Sequence, residues 1–267
     1  MTLKQKAELK WTPFLTLYRR ELHRFLKVVF QAVFTPLITA SLYLLIFGVS
    51  LGQSIKLDSG LSYLTFLIPG LVMMSVLNNA FQNSSSSVVS GKFSGDLEDL
   101  RVVPLSVNQI LWAMAAGGLT RGLIVGTITF FVGQVFHYVV LGSWLPVANF
   151  PVLLFFLVIG GLSFAQLGIS VAFWAKTFDQ MSAVGAFVLT PLIYLGGVFF
   201  SIESLHPFWK TISLFNPMLY FINGVRYGLV GQADVEPMWA AFVSLGGLLF
   251  FYLLAIRVLK TGQYSRW

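Results

Sequence analysis

The sequence predicts an all-α polytopic membrane protein, with six transmembrane helices behind an N-terminal amphipathic helix. Three observations carry this. Of the 267 residues 57% are hydrophobic, among them 26 Phe and 7 Trp, and only 10% are charged. The mean hydropathy of +0.81 is far above that of a soluble domain. With the polar connectors set aside, about six apolar stretches reach the roughly 20 residues that a spanning helix needs. No length remains for a soluble catalytic domain. Cysteine is absent, which removes disulfides and thiolate metal ligands and leaves the compartment open. The basic N-terminus runs into a patterned segment with no small-residue cleavage site, so no removable signal peptide is expected.

The first element occupies residues 1–29. Trp11, Leu15, Tyr18, Leu22, Phe25 and Val29 recur every three or four residues, while Arg20, Arg24 and Lys27 take another face. This pattern predicts a helix lying on a membrane surface, its cations toward anionic headgroups at about 1 kcal/mol each. The alternative is a solvated helix of a soluble cap. The transmembrane domain, 30–259, follows. Its first span, about 30–51, contains Pro36, and a short connector with Lys56 and Asp58 leads to the second. That span begins near Tyr63, stays apolar to Val76 and then turns polar through Asn78, Asn79, Gln82, Asn83 and the serines at 84–87. The third is expected at about 110–136, the fourth at 151–175, the fifth at 181–200 and the sixth at 238–259, before a tail at 260–267.

Two connectors depart from ordinary loops. At about 91–106 lies Gly91-Lys-Phe-Ser-Gly-Asp-Leu-Glu-Asp-Leu-Arg-Val-Val-Pro-Leu-Ser106. Leu97 and Leu100, at helical spacing among Asp96, Glu98 and Asp99, predict a small amphipathic helix gripped by something outside the membrane. At about 199–228 the apolar pieces Phe199-Phe200, Leu205-His-Pro207-Phe-Trp209 and Leu214-Phe-Asn-Pro217-Met-Leu-Tyr220 are too short to span. They read as re-entrant or interfacial helices, or else as an aromatic-belt loop on the outer leaflet.

Charge sets the expected orientation. Thirteen of the 17 Lys and Arg flank one side, in the N-terminal arm, the acidic connector, Lys176 and the C-terminal end; Lys56, Lys210 and Arg226 flank the other. Under the positive-inside rule both termini and the acidic connector are cytoplasmic. The net charge of +7 follows from this topology and gives no support to nucleic-acid binding.

Enzymatic chemistry finds no foothold. There is no G-x-x-x-x-G-K-[ST], no G-x-S-x-G and no H-E-x-x-H. His23, His137 and His206 fall in the arm and in two outer connectors, so no shared metal site is expected. Asn78, Gln82 and Ser86 share one helical stripe with Asn79, Asn83 and Ser87 beside it. Such a stripe faces either a partner helix or the wall of a substrate route, because unpaired amides in hydrocarbon cost several kcal/mol. Gly118, Gly122 and Gly126 form a ridge for close helix packing. Arg121, about 16 Å of helix rise past Ile110, is either paired structurally or a substrate contact.

Several short patterns occur in a telling order: the surface helix, Phe66-Leu-Ile-Pro69-Gly70, Lys92-Phe-x-Gly-x-Leu-Glu98-x-Leu-x-x-x-Pro104, Ala175-Lys-Thr-Phe178-Asp179, Leu195-Gly-Gly-Val-Phe-Phe-Ser201, and Asn216-Pro217-x-x-Tyr220 with Gly224-Val-Arg226-Tyr-Gly228. Together they resemble the permease subunits of ABC-2-type exporters, which include Nod-factor, drug and polysaccharide exporters, over nearly the whole chain. The resemblance implies two copies of this subunit, in the bacterial inner membrane, paired with two separate P-loop ATPase subunits that bind the ATP and Mg. It makes the 91–106 segment a coupling helix, with Phe93, Leu97 and Leu100 as apolar anchors between Gly95 and Pro104, and with Asp96, Glu98 and Asp99 meeting basic groove residues. It also implies an outer gate of Phe199, Phe200, Pro217, Tyr220 and Arg226. Asn78, Asn79, Gln82, Arg121, Thr190 and Tyr194 are the candidate route for a lipid, glycan or amphipathic cargo. A channel or membrane scaffold is the alternative, and a lipid-modifying enzyme would need a His, Asp or Glu cluster that the chain does not offer.

Overall fold

In a computed structural model the chain is described at residues 3–52, 57, 60–262 and 264, with backbone only for 3–10. Lys56, Asp58 and Arg266 lie outside the described residues, as do the side chains of Lys4, Lys6 and Lys10. In chain order the elements are α1 (Leu3–Lys27), α2 (Val29–Tyr43) continued by a π-helical segment Leu44–Ser50, α3 (Tyr63–Ser94), α4 (Asp96–Asp99), α5 (Val107–Leu141) and α6 (Phe150–Trp174). Then come α7 (Phe178–Val184), a second π segment Gly185–Leu189, α8 (Thr190–Leu195), a 3-10 turn Ile202–Ser204, α9 (Pro207–Leu214), α10 (Pro217–Val230) and α11 (Pro237–Thr261). Six of the described helices are long and apolar enough to cross a membrane, as the sequence predicts: Val29–Ser50, Tyr63–Ser94, Val107–Leu141, Phe150–Trp174, Phe178–Leu195 and Pro237–Thr261.

Local chemistry fixes where these helices begin. Ser62, Asn149 and Thr177 each cap a helix by accepting a backbone N–H. Ser106 and Gln109 close a reciprocal capping box at the start of α5. Pro207, Pro217 and Pro237 stand at first-turn positions, where no amide donor is needed. Helix α3 stops at Gly95, whose φ of +85° is open to glycine and unfavourable for other residues.

Helix α3 is the axis of the molecule, with 83% of its most apolar window buried. Helices α5, α6 and α10 pack around it. The Gly118, Gly122 and Gly126 ridge faces it as the pattern predicts: a Cβ on Gly122 would sit 2.8 Å from the Val76 carbonyl oxygen. A large apolar core follows from this packing, and a second cluster at the α1 end gathers Leu17, Val88, Val89, Leu97, Leu100, Ile110, Ile169 and Leu259.

The connectors correct the sequence reading in three places. The acidic helix is a single turn, α4, because α3 runs on to Ser94; Leu97 and Leu100 are buried within this chain, leaving Asp96, Glu98 and Asp99 exposed. On α1 the buried face is Leu17, Glu21 and Phe25, whereas Trp11 and Leu15 of the expected apolar stripe are exposed. His137 lies inside α5, buried between Thr65 Oγ1 and the Ser143 carbonyl oxygen, rather than in a connector. The segment between the fifth and sixth spans folds as expected into short helices, and α10 is buried against α6, α11 and α3.

Candidate functional site: a polar cleft between the first, second and fifth spans

A cleft of about 710 Å³ runs along the face of α3 between α2 and the α7–α8 span. Val28, Gln31, Thr35, Pro36, Thr39 and Tyr43 form one wall; Met181, Ser182, Gly185, Ala186 and Thr190 form the other. Its floor is Leu71, Met74, Ser75, Asn78, Asn79, Gln82 and Ser86 of α3, together with Arg121 of α5. Five of the six residues singled out for a substrate route therefore line one cavity. Tyr194 does not line it. Its hydroxyl instead meets that of Tyr43 at 2.9 Å, just beyond the cleft.

The floor is polar because α3 turns its two amide–hydroxyl stripes in different directions. Asn78, Gln82 and Ser86 face the cleft, while Asn83 and Ser87 are buried toward α1. Ser87 donates to Glu21 Oε1 at 2.7 Å, and Arg24 donates to Ser86 Oγ, the Asn83 carbonyl and Glu21 Oε2. Arg24 is thus held by the protein and does not join the headgroup-facing cations that the sequence pattern suggests. Arg121 Nε donates to Asn79 Oδ1 at 3.3 Å, and its guanidinium lies 5.8 Å from the Phe25 ring centroid. Thr190 spends its hydroxyl on the Gly185 carbonyl of its own span. The second π segment gives Gly185 and Ala186 to the cleft wall, and the first begins just after the lining residue Tyr43; such irregular turns recur at functional sites.

An aromatic cluster lies at the end remote from α1. Phe199 packs on Tyr43, Phe47 and Tyr194 at centroid distances of 5.3, 5.3 and 5.1 Å, and its carbonyl accepts from Tyr63. The gate candidates divide around it. Phe199 sits at the cleft end and Phe200 is half-buried beside it. Pro217 opens α10, and Tyr220 ties α10 to α9 by donating to the Leu214 carbonyl. Arg226 is not a surface gate residue: it is 1% exposed, donates to the Gly197 carbonyl, pairs with Asp234 at 3.9 Å and covers the Phe66 ring at 3.8 Å. Burial pushes its guanidinium pKa down to about 10, while Asp234 and Tyr63 pull it upward.

At the α1 end two neighbouring residues of the connector, Lys92 and the anchor candidate Phe93, find partners within the chain. Lys92 is buried, and its ammonium donates to the Ala172 and Phe173 carbonyls at the end of α6. Phe93 stacks on Phe178 at 5.5 Å, joining the acidic connector to α7 and so to one wall of the cleft. The exposed surface of the connector includes Asp96, Glu98, Asp99, Arg101 and Pro104, with the apolar side chains Phe93, Val103 and Val102, the last at 84%. Among the described residues no group of His, Asp or Glu is placed to hold a metal ion.

Comparison with known proteins agrees with this architecture. Residues 12–230 match the family model described as ABC-2 type transporter. The chain is 38% identical over 258 residues to the inner membrane transport permease YadH of Escherichia coli K12, an alignment that covers 97% of this chain and 98% of that one. It is 26% identical over 251 residues to nodulation protein J of Rhizobium leguminosarum bv. viciae, covering 91% of each, and 25% identical over 238 residues to nodulation protein J of Neorhizobium galegae, covering 89% and 87%. Six spanning helices, a polar intramembrane cleft and a match over most of the length converge on one assignment: the chain belongs to the ABC-2 type transporter family.

Proposed function

We propose that the chain is the membrane permease subunit of an inner-membrane ABC exporter. It moves a lipid, glycan or amphipathic cargo outward when a separate P-loop ATPase subunit binds and hydrolyses ATP. The cleft carries this reading. It places Asn78, Asn79, Gln82 and Arg121 on the floor of a cavity inside spanning helices, closed at one end by the Phe199 cluster. Polar side chains that line a cavity at that depth can be served by a solute or water entering it.

In the orientation given by the Lys and Arg flanks, α1, α4 and both termini are cytoplasmic and the aromatic cluster is at the outer end. Cargo enters from the α1 side and leaves past Phe199 and Phe200, with α9 and α10 supporting the exit. The ATPase docks on the exposed acids of α4 and on Val102, Val103 and Phe93. The sequence carries no P-loop motif, so on this reading ATP and Mg are bound by the partner. Closure of the ATPases pushes the connector. The Phe93–Phe178 stack passes that movement to α7, so one wall of the cleft moves against the α3 floor. Two copies with two ATPases complete the assembly.

The test is purification of the tagged chain in mild detergent with its genomic neighbours expressed, followed by mass spectrometry and an ATP hydrolysis assay. A stoichiometric P-loop subunit with ATPase activity is expected. A chain that purifies alone across several detergents would sink the exporter reading and favour a channel or scaffold.

A further inference from the structure

The cleft has an electrostatic asymmetry that its role as a route does not require. None of its lining residues is Asp or Glu, and its one charged lining residue is Arg121. Among the described residues Arg121 has no carboxylate within ion-pair distance. Its single side-chain bond, from Nε to Asn79, engages one of five guanidinium donors. Arg24 stands one step along the same helix face: it donates to Ser86, and Ser86 and Asn79 both line the cleft, seven residues or about 10 Å of helix rise apart. The Nε atom of Arg24 is buried without a partner. Glu21 is the local carboxylate, and it is shared by Arg20 at 3.6 Å, Arg24 at 3.2 Å and the Ser87 hydroxyl. Arg20 and Arg24 thus share one carboxylate beside the cavity while Arg121 has none, and the surplus is positive.

Depth sharpens the inference. Phe25 of the surface helix α1 touches the Arg121 guanidinium, and Val28, at the junction of α1 and α2, lines the cleft. Arg121 therefore lies at the end of the cleft nearest α1. Beyond it Ala32, Pro36, Ala40, Leu71 and Met74 alternate with Thr35, Thr39 and Ser75 along the walls. A cationic end below walls of mixed polarity suits an amphiphile that brings an anionic head, and a guanidinium matches oxyanions by paired N–H donors.

We propose that Arg121 binds a phosphate-type oxyanion of the cargo at the end of the cleft nearest α1, with Arg24 adding positive charge behind it. The inference rests on the exporter reading for its meaning. Its measurement does not, because binding can be read without ATP or a partner subunit.

The experiment uses the purified full chain in a neutral detergent and follows binding of a fluorescent phosphatidic acid, with phosphatidylcholine of the same chains as control. Wild type is expected to prefer the phosphatidic acid, and Arg121→Gln to weaken that binding by roughly tenfold or more. Arg121→Lys, which keeps the charge but loses the paired donors, should fall between the two, and unchanged thermal midpoints confirm that both variants fold. Competition by inorganic pyrophosphate separates the two sources: displacement at low concentration means that a free phosphate group suffices, and failure to displace means that the ligand must also bring its acyl chains. Equal binding of both lipids, or equal binding by wild type and Arg121→Gln, overturns the site. Loss of the exporter reading would show instead as absence of ATP-driven transport with this binding intact.

Discussion

At the scale of single residues, the cations of this chain divide into those that face water or lipid and those that the fold consumes. Lys92 reads in the sequence as one more positive flank, yet its ammonium caps the carbonyl end of α6 and lies 5.2 Å from the Phe173 ring centroid. Replacing it by Met leaves those buried carbonyls unpaired, which should cost about 1–3 kcal/mol. The expected result is a lower thermal midpoint for Lys92→Met in detergent, with no shift for Lys176→Met, whose side chain is exposed. An equal shift in both would mean that net charge, not the cap, sets the effect. The same distinction explains what the sequence made legible. A polar stripe on a spanning helix cannot face lipid, so Asn78, Asn79, Gln82 and Arg121 could be named before any coordinates existed. Where a long cation ends is decided by a neighbouring helix remote in sequence, and neither Arg24 nor Arg226 announces its partner. Tyr194 was legible as a residue near the route, but the rotation of its helix gives it to Tyr43.

At the scale of elements, the connector between the second and third spans shows how an amphipathic pattern can be right in kind and inverted in use. Two leucines among three acids do form a helical turn with an apolar face. That face is turned inward, onto Val88, Val89, Ile110 and Ile169 of the chain's own helices, because α3 extends far enough to present a core for it. The apolar surface left for a partner is Val102, Val103 and Phe93. Two substitutions should therefore separate cleanly. Leu97→Ala opens a cavity in a packed cluster and is expected to destabilise the chain by about 2–5 kcal/mol. Val102→Asp changes stability by no more than about 0.5 kcal/mol, as surface changes do, and adds a like charge beside Asp99. It should reduce recovery of the ATPase subunit in co-purification. Normal ATPase recovery with Val102→Asp, together with loss in a still-folded Leu97→Ala, would return the docking role to the leucine face.

At the scale of the whole molecule, the six spans are unequally enclosed. The second has 83% of its apolar window buried and the fifth 11%, the lowest value of the six. The fifth span is also a wall of the cleft, and its Phe187 is 81% exposed. Amide groups and an arginine inside a membrane are poorly served by a wall that lipid can part. A second copy laid against the same face by a two-fold axis would enclose both clefts at once, since such an interface sets one patch against itself. The absence of cysteine makes this directly measurable, because any introduced thiol is the sole one in the chain. Phe187→Cys is expected to give covalent dimers on mild oxidation in native membranes. Phe250→Cys, also exposed, at 62%, on α11, is expected to give few. The reverse pattern would place the dimer axis along α11 and leave the cleft facing lipid. Dimers from neither position would require each subunit to work its cleft alone.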